Sequence, residues 1–197
     1  MTPVVVLASA SPRRADVLRQ LGLDPVVRPA HVDEAYLDGE TPEAHVERLA
    51  RLKATTIAAT EPSTLVLGGD TVVVADGHVL GKPAGDAGAV AMLTALSGGT
   101  HHVLSGLAVA GPHGVVSAVA RTTVHMRDFD VETAEAYVAT GEPLDKAGAY
   151  GIQGKGAALV AGIEGDYFAV VGFPVAVFVD LLERAGWQFR SGVLTSK

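Results

Sequence analysis

The feature that most constrains the fold is an unbroken apolar run at the start of the chain, Val4-Val5-Val6-Leu7, followed closely by Pro12. β-Branched residues without polar alternation describe a strand covered on both faces, as in parallel or mixed sheets flanked by helices. Pro12 sits where a helix can begin; Val17, Leu18 and Leu21 then form a helical stripe that Gly22 ends. A strand that turns straight into a helix predicts an α/β fold.

The rest of the chain extends that pattern. A second helix opens at Thr41-Pro42-Glu43 and runs to about residue 59, with Val46, Leu49, Ala50, Ala54 and Ile57 on its apolar face. Residues 65–75 read as a strand interrupted by Gly68-Gly69-Asp70, and Asp76-Gly77 turns it back through Val79 and Leu80. A helix capped by Asp86 follows to residue 96, then two strands over 102–110 and 115–125. Asp130 caps a short helix to residue 139. A strand pair is expected over 157–163 and 167–171, then a helix from Pro174 to Gly186 and a loose tail from Ser191. The prediction is one α/β domain over residues 1–197, its mixed, partly antiparallel sheet flanked by helices, with a smaller lobe around residues 130–160.

At 197 residues the chain has room for a real core. Its formal net charge of −7 argues against a nucleic-acid polymer as partner, because a field of that sign repels phosphate backbones. The absence of cysteine removes disulfides, thiolate metal sites and cysteine nucleophiles together. No apolar run approaches the ~18 residues of a membrane span. Arg13 and Arg14 follow the first apolar run instead of preceding it, unlike a signal peptide. The expectation is a cytoplasmic protein with no membrane partner.

Five places along the chain can carry chemistry. Ser9-Ala10-Ser11-Pro12-Arg13-Arg14 lies at a strand-to-helix turn, where backbone N–H groups and forked guanidiniums suit polyphosphate; ordinary capping with solvated arginines competes with that reading. Asp70, inside an apolar strand, needs a cation, a metal or hydrogen bonds, and its neighbouring glycines leave room for a ligand near the backbone. Lys53 falls on the buried face of its helix, either snorkelling to the edge or held to meet an anion. Lys82, in Gly81-Lys82-Pro83, is one of only five lysines. The glycine-rich stretch 141–154 either hugs a ligand or is a flexible loop. No paired-histidine zinc motif occurs, so a metal here would be a hard cation on carboxylates such as Asp33, Glu34 and Asp70.

Taken in order, these segments resemble the Maf family of nucleoside triphosphate pyrophosphatases. The matching stretches are Leu7-Ala8-Ser9-Ala10-Ser11-Pro12-Arg13-Arg14, Val32-Asp33-Glu34, Lys53-Ala54, Gly69-Asp70-Thr71, Gly81-Lys82-Pro83, Leu96-Ser97-Gly98 with His102, and residues 145–154. The resemblance covers essentially residues 4–185. It implies a fold shared with inosine-triphosphate-type pyrophosphatases, a cleft between two lobes, and a homodimer. It also implies hydrolysis of a nucleoside triphosphate to monophosphate and pyrophosphate with a divalent cation, Mg²⁺ or Mn²⁺. By the same carry-over Asp70 is the proton acceptor, with Lys53 and Lys82 beside it in catalysis. Ser9, Arg13, Thr71 and Gln153 meet substrate, the last three at base-selecting positions; on charge grounds either Glu34 and Asp70 share the metal, or Asp70 orients water directly.

Gly148-Ala149-Tyr150-Gly151-Ile152-Gln153 resembles the branch acting on dTTP and UTP. Gln153 offers one donor and one acceptor to the N3–H and carbonyl edge of a pyrimidine, whereas an ionised glutamate, as in the 7-methyl-GTP branch, only accepts. Three positions depart from the family pattern: Gly69 for alanine, Ser105 for threonine and Asp166 for serine. The competing expectations are a pyrophosphatase with broad or modified-nucleotide range and a non-catalytic regulator of septum formation.

Overall fold

In the computed structural model, which describes residues 3–61 and 64–196, strand β1 (Val5–Leu7) is buried along its whole length. It pairs in parallel on both sides, Val6 opposite Val26 of β2 (Val26–Val27) and opposite Val66 of β3 (Leu65–Ala75). Between them run α1 (Pro12–Gln20) and α2 (Pro42–Ala58), whose N-cap Thr41 accepts a hydrogen bond from the Ala44 amide. β4 (His78–Leu80) returns antiparallel on β3 after the Asp76-Gly77 turn. α3 (Gly85–Leu96), β5 (Thr100–Gly111), β6 (Gly114–Met126), α4 (Val131–Val138) and β7 (Val160–Glu164) follow, β7 antiparallel to β6. The sheet order is β2-β1-β3-β5-β6-β7, with β4 beside β3. The expected α/β class with a mixed, partly antiparallel sheet is what forms. No helix among the described residues is long and apolar enough to cross a membrane.

Five local expectations are corrected. β3 is continuous through Gly68-Gly69-Asp70. Residues 154–159 form a 3₁₀ turn, so the β7 strand starts only at Val160. Residues 167–171 are a helix, α5 (Tyr167–Val171), because the Asp166 carboxylate accepts the Phe168 amide and starts a turn. Asp86 does not cap α3: Ala84 holds that position without a side-chain bond, and Asp86 sits in the first turn, where the helix dipole favours a carboxylate. The last residues are no loose tail. After α6 (Val175–Arg184), β8 (Trp187–Arg190) and β9 (Val193–Ser196) close a hairpin through Ser191 and Gly192, both at positive φ, and Leu194 is fully buried.

The chain divides into two compact units. The first takes residues up to Asp70, Ser105–Ala120 and the chain from Gly172. Part of its core is built from small residues: Val6, Ala8, Ala50, Ala54, Val66, Ala108 and Ala110. The reason is close helix-to-sheet contact. A Cβ on Gly68 would lie 2.2 Å from the Ala50 carbonyl oxygen, and one on Gly106 would lie 2.3 Å from that of Val46. Two glycines thus let α2 rest directly on β3 and β5.

The second unit takes Thr71–Leu104 and Arg121–Val171. Its core packs α3 residues Ala89, Leu93 and Leu96 with α4 residues Ala134, Tyr137 and Val138 over Val73, Val103 and Val124.

Candidate active site

In the first unit Lys53 is the hub. α2 lies on Gly68, and this brings Lys53 to the middle of β3, where Asp70 stands. Its Nζ donates to Asp70 Oδ1 at 2.8 Å and to Glu34 Oε1 at 2.7 Å. The lysine is buried and so does not snorkel, and it separates two carboxylates that would otherwise repel each other. Asp70 is half-buried, and the bond from Lys53 engages one of its oxygens.

Glu34 comes from an exposed loop, and a set of contacts fastens that loop to α2. Glu40 accepts from Arg48 Nε at 2.5 Å and Nη2 at 2.8 Å, and lies 3.0 Å from His45 Nδ1. Arg48 Nη2 also donates to the Ala35 carbonyl, one residue past Glu34, at 2.9 Å. Tyr36 stacks flat on His45 with ring centroids 3.5 Å apart. The bidentate arginine holds the Glu40 carboxyl down to about 2, with further help from the Leu37 amide and His45.

The strand-to-helix turn is organised around Arg14. Its Nε donates to the Gly172 carbonyl at 2.8 Å and its Nη1 to Ser9 Oγ at 2.9 Å. Burial lowers its pKa, and the Asp70 carboxylate opposes that. Ser9 Oγ also accepts from the Ser11 amide at 3.2 Å, so both its acceptor positions are used and its hydrogen remains to donate. Ser11, the N-cap, makes no side-chain cap bond. Arg13 is half-buried in the first turn of α1. The sequence pairs Arg14 with Arg13 as a guanidinium for polyphosphate or a solvated arginine; it is instead buried and bonded to Gly172 and Ser9. The signal was present: it lies three and four residues before Val17 and Leu18, on the buried face of α1.

The glycines beside Asp70 do not open space for a ligand. Gly68 is met by α2, and a Cβ on Gly69 would come within 3.2 Å of Arg14 Nε. An alanine at 69 would press on that guanidinium.

The remaining predicted residues belong to the second unit. Thr71 follows Asp70 in β3 and is half-buried. Lys82 lies beyond β4, exposed, and its ammonium has no carboxylate partner among the described residues. Gln153, half-buried, precedes the 3₁₀ turn Gly154–Leu159, and its amide has no hydrogen-bond partner among the described residues. The glycine-rich stretch around it is neither an open cradle nor a loose loop. Gly148 abuts Val73, Gly151 abuts the Lys146 stem, Gly154 abuts the Glu142 carboxylate and Gly156 abuts the Tyr137 phenol. Sequence reading missed these braces, because glycine marks a close approach without naming what approaches.

For a divalent cation, the donor set fits in kind. Asp70 and Glu34 are hard oxygen ligands gathered at one ammonium, and Mg²⁺ commonly takes one or two carboxylates and completes its shell with substrate phosphates. Among the described residues no group of three or more histidine, aspartate or glutamate side chains is arranged to hold a metal alone.

Comparison with known proteins gives this arrangement its relatives. The chain is 55% identical over 186 residues to the dTTP/UTP pyrophosphatase of Moorella thermoacetica, covering 92% of this chain and 95% of that protein. It is 48% identical to the dTTP/UTP pyrophosphatase of Koribacter versatilis, covering 92% and 94% of the two chains. It is 47% identical to that of Symbiobacterium thermophilum, covering 95% and 97%. The family model described as Maf-like protein matches residues 4–185, a span that takes in β1, the Lys53–Asp70 pair and the Gln153 segment. With its sequence motifs, its mixed sheet and that match in agreement, the chain belongs to the Maf-like family.

Proposed function

We propose that the protein hydrolyses nucleoside triphosphates to the monophosphate and pyrophosphate, with dTTP and UTP preferred, in the cytosol. The observation that carries the chemistry is Asp70, held by the buried Lys53 through one oxygen. Asp70 takes a proton from water through its other oxygen. The water oxygen bonds to the α-phosphorus, the bond from that phosphorus to the α–β bridging oxygen breaks, and pyrophosphate leaves with the electron pair. Lys53 fixes the orientation of Asp70 and screens it from Glu34. Ser9 donates its hydroxyl hydrogen to a phosphate oxygen, and Arg13 and Lys82 offset the phosphate charge. Thr71 and Gln153 meet the base, with Gln153 presenting a donor and an acceptor to a uracil or thymine edge. Glu34 and Asp70 would hold a Mg²⁺ or Mn²⁺ ion, which supplies charge neutralisation and acidifies water. The names of the relatives support both the reaction and the pyrimidine preference.

The test is pyrophosphate release from dTTP, UTP and 7-methyl-GTP at matched concentration, with Mg²⁺ or Mn²⁺, for wild type and Asp70→Asn. Expected are faster turnover of dTTP and UTP than of 7-methyl-GTP, and a loss of at least about 100-fold in Asp70→Asn. Unchanged release by Asp70→Asn would remove the assigned base, and faster turnover of 7-methyl-GTP would remove the pyrimidine preference.

A further inference from the structure

The backbone on either side of Gln153 is tied to a single pair of side chains. On one side, the Gly151 amide donates to Tyr137 Oη at 3.1 Å. On the other, the Gly156 amide donates to Glu142 Oε1 at 3.2 Å and the Lys155 amide to Glu142 Oε2 at 3.1 Å. The pair is itself joined, since the Tyr137 hydroxyl donates to Glu142 Oε1 at 2.9 Å. Tyr137 stands on the buried face of α4, and Glu142 starts the 3₁₀ turn that follows it. Neither partner belongs to the segment it holds.

The fit leaves no slack. A Cβ on Gly156 would lie 2.5 Å from Tyr137 Oη and 2.3 Å from the Gly151 carbonyl oxygen. Gly154, at φ +65°, would place one 2.9 Å from Glu142 Oε2. Just before the segment, Tyr150 Oη lies 2.7 Å from the buried His101 Nε2. Burial works against charge on Glu142, yet the Lys155 amide, the Tyr137 hydroxyl and the Gly156 amide together hold its carboxyl below the usual range. Gln153 takes no part in these bonds, so its backbone is fixed while its amide stays available to a ligand.

We infer that Tyr137 and Glu142 are positioning residues for base selection, holding residues 151–156 so that the Gln153 amide meets the pyrimidine edge in a single register. The inference rests on the reading of Gln153 as the residue that meets the base. A fixed backbone sets which atoms of the base edge the Gln153 amide can reach, so a shifted backbone weakens the contact to uracil and narrows its margin over cytosine. Loosening the brace therefore acts on discrimination, and it leaves the phosphate-directed groups where they are.

The experiment measures kcat and KM with UTP and CTP for wild type, Tyr137→Phe, Glu142→Gln and Gln153→Ala, each shown folded by circular dichroism. Tyr137→Phe removes the bridge to Gly151 while keeping the ring in the core; Glu142→Gln keeps the shape and loses the carboxylate. For both, the expected result is a KM for UTP raised about ten-fold, kcat within about two-fold of wild type, and a UTP/CTP ratio of kcat/KM reduced about ten-fold. Gln153→Ala is expected to collapse the same ratio. If Gln153→Ala lowers the ratio while Tyr137→Phe and Glu142→Gln leave it at the wild-type value, the brace is structural only and the inference is overturned. A ratio untouched by Gln153→Ala overturns the reading of Gln153 itself. Should Tyr137→Phe fail to fold, Glu142→Gln, at a half-buried position, decides alone by the same ratio.

Discussion

Lys53 shows how one side chain can be legible in type and obscure in partner. Its place on the apolar face of a helix marked it as unusual, but helical spacing contains nothing about Glu34 or Asp70, which lie 19 residues before it and 17 after it. Two carboxylates sharing one ammonium, the aspartate half-buried and the glutamate exposed, make the lysine the hub of that cluster. Lys53→Met preserves the stem and removes the charge. It is expected to cost about 1–3 kcal/mol in urea denaturation, with the exposed Glu34 contributing little. Pyrophosphate release should fall by about 100-fold, because Asp70 loses its orienting donor and faces an unscreened neighbour. Full turnover in this variant would refute the orienting role. The Glu40–Arg48 clasp that holds the Glu34 loop is a similar case: its residues were visible in the sequence, but their pairing was decided by the fold.

At the scale of elements, periodicity was a good guide where burial is one-sided or complete. β1, α1, α2 and the hairpin from β3 to β4 all lie where apolar spacing and turn residues put them. It failed where a single side chain decides, as at residues 167–171, whose apolar content fits a strand until Asp166 caps a helix. It failed again at Ser191-Gly192, a turn signal outweighed by its position near the end of the chain. The seat of α2 was hidden in another way, since a glycine inside a strand announces a close approach by helix or ligand alike. Gly68→Ala is expected to destabilise the protein by at least about 3 kcal/mol, because the new methyl meets backbone carbonyl and amide atoms of α2 that cannot rotate aside. Equilibrium denaturation checks this. Since lifting α2 also withdraws Lys53 from Asp70, activity in the folded fraction should fall with it; a variant of wild-type stability would mean that α2 does not rest on Gly68.

For the whole molecule, charge and titration matter more than any one contact. A net charge of −7 gives a surface that repels polyanions, so the proposed reaction needs local cations to meet the triphosphate, the part proposed for Arg13 and Lys82. Stability should fall in mild acid for a separate reason. His101 is buried against Tyr150 with its Nδ1 unpartnered among the described residues, and burial, helped by His102 and His125, pushes it down to about 4. The unfolded chain binds a proton there near 6.5 and the folded chain does not. Stability is therefore lost as pH falls from about 6.5 towards about 4, by up to about 3 kcal/mol, and is unaffected by this group above that window. Thermal midpoints taken across the window should drop steeply in wild type. His101→Phe, whatever its baseline, should show a shallower slope, and an equal slope would acquit the histidine.

The glycine-rich stretch has an evolutionary consequence. Position 156 is closed to larger side chains by the Gly151 carbonyl and Tyr137, positions 148 and 154 by their positive φ and close neighbours, while 151 is crowded by the Lys146 stem. Heritable variation in the segment is thereby channelled to its half-buried or exposed members, Gln153, Lys155, Ala157 and Ala158. Divergence in a lineage built this way would proceed by exchanging a side chain on a fixed backbone, not by remodelling the loop.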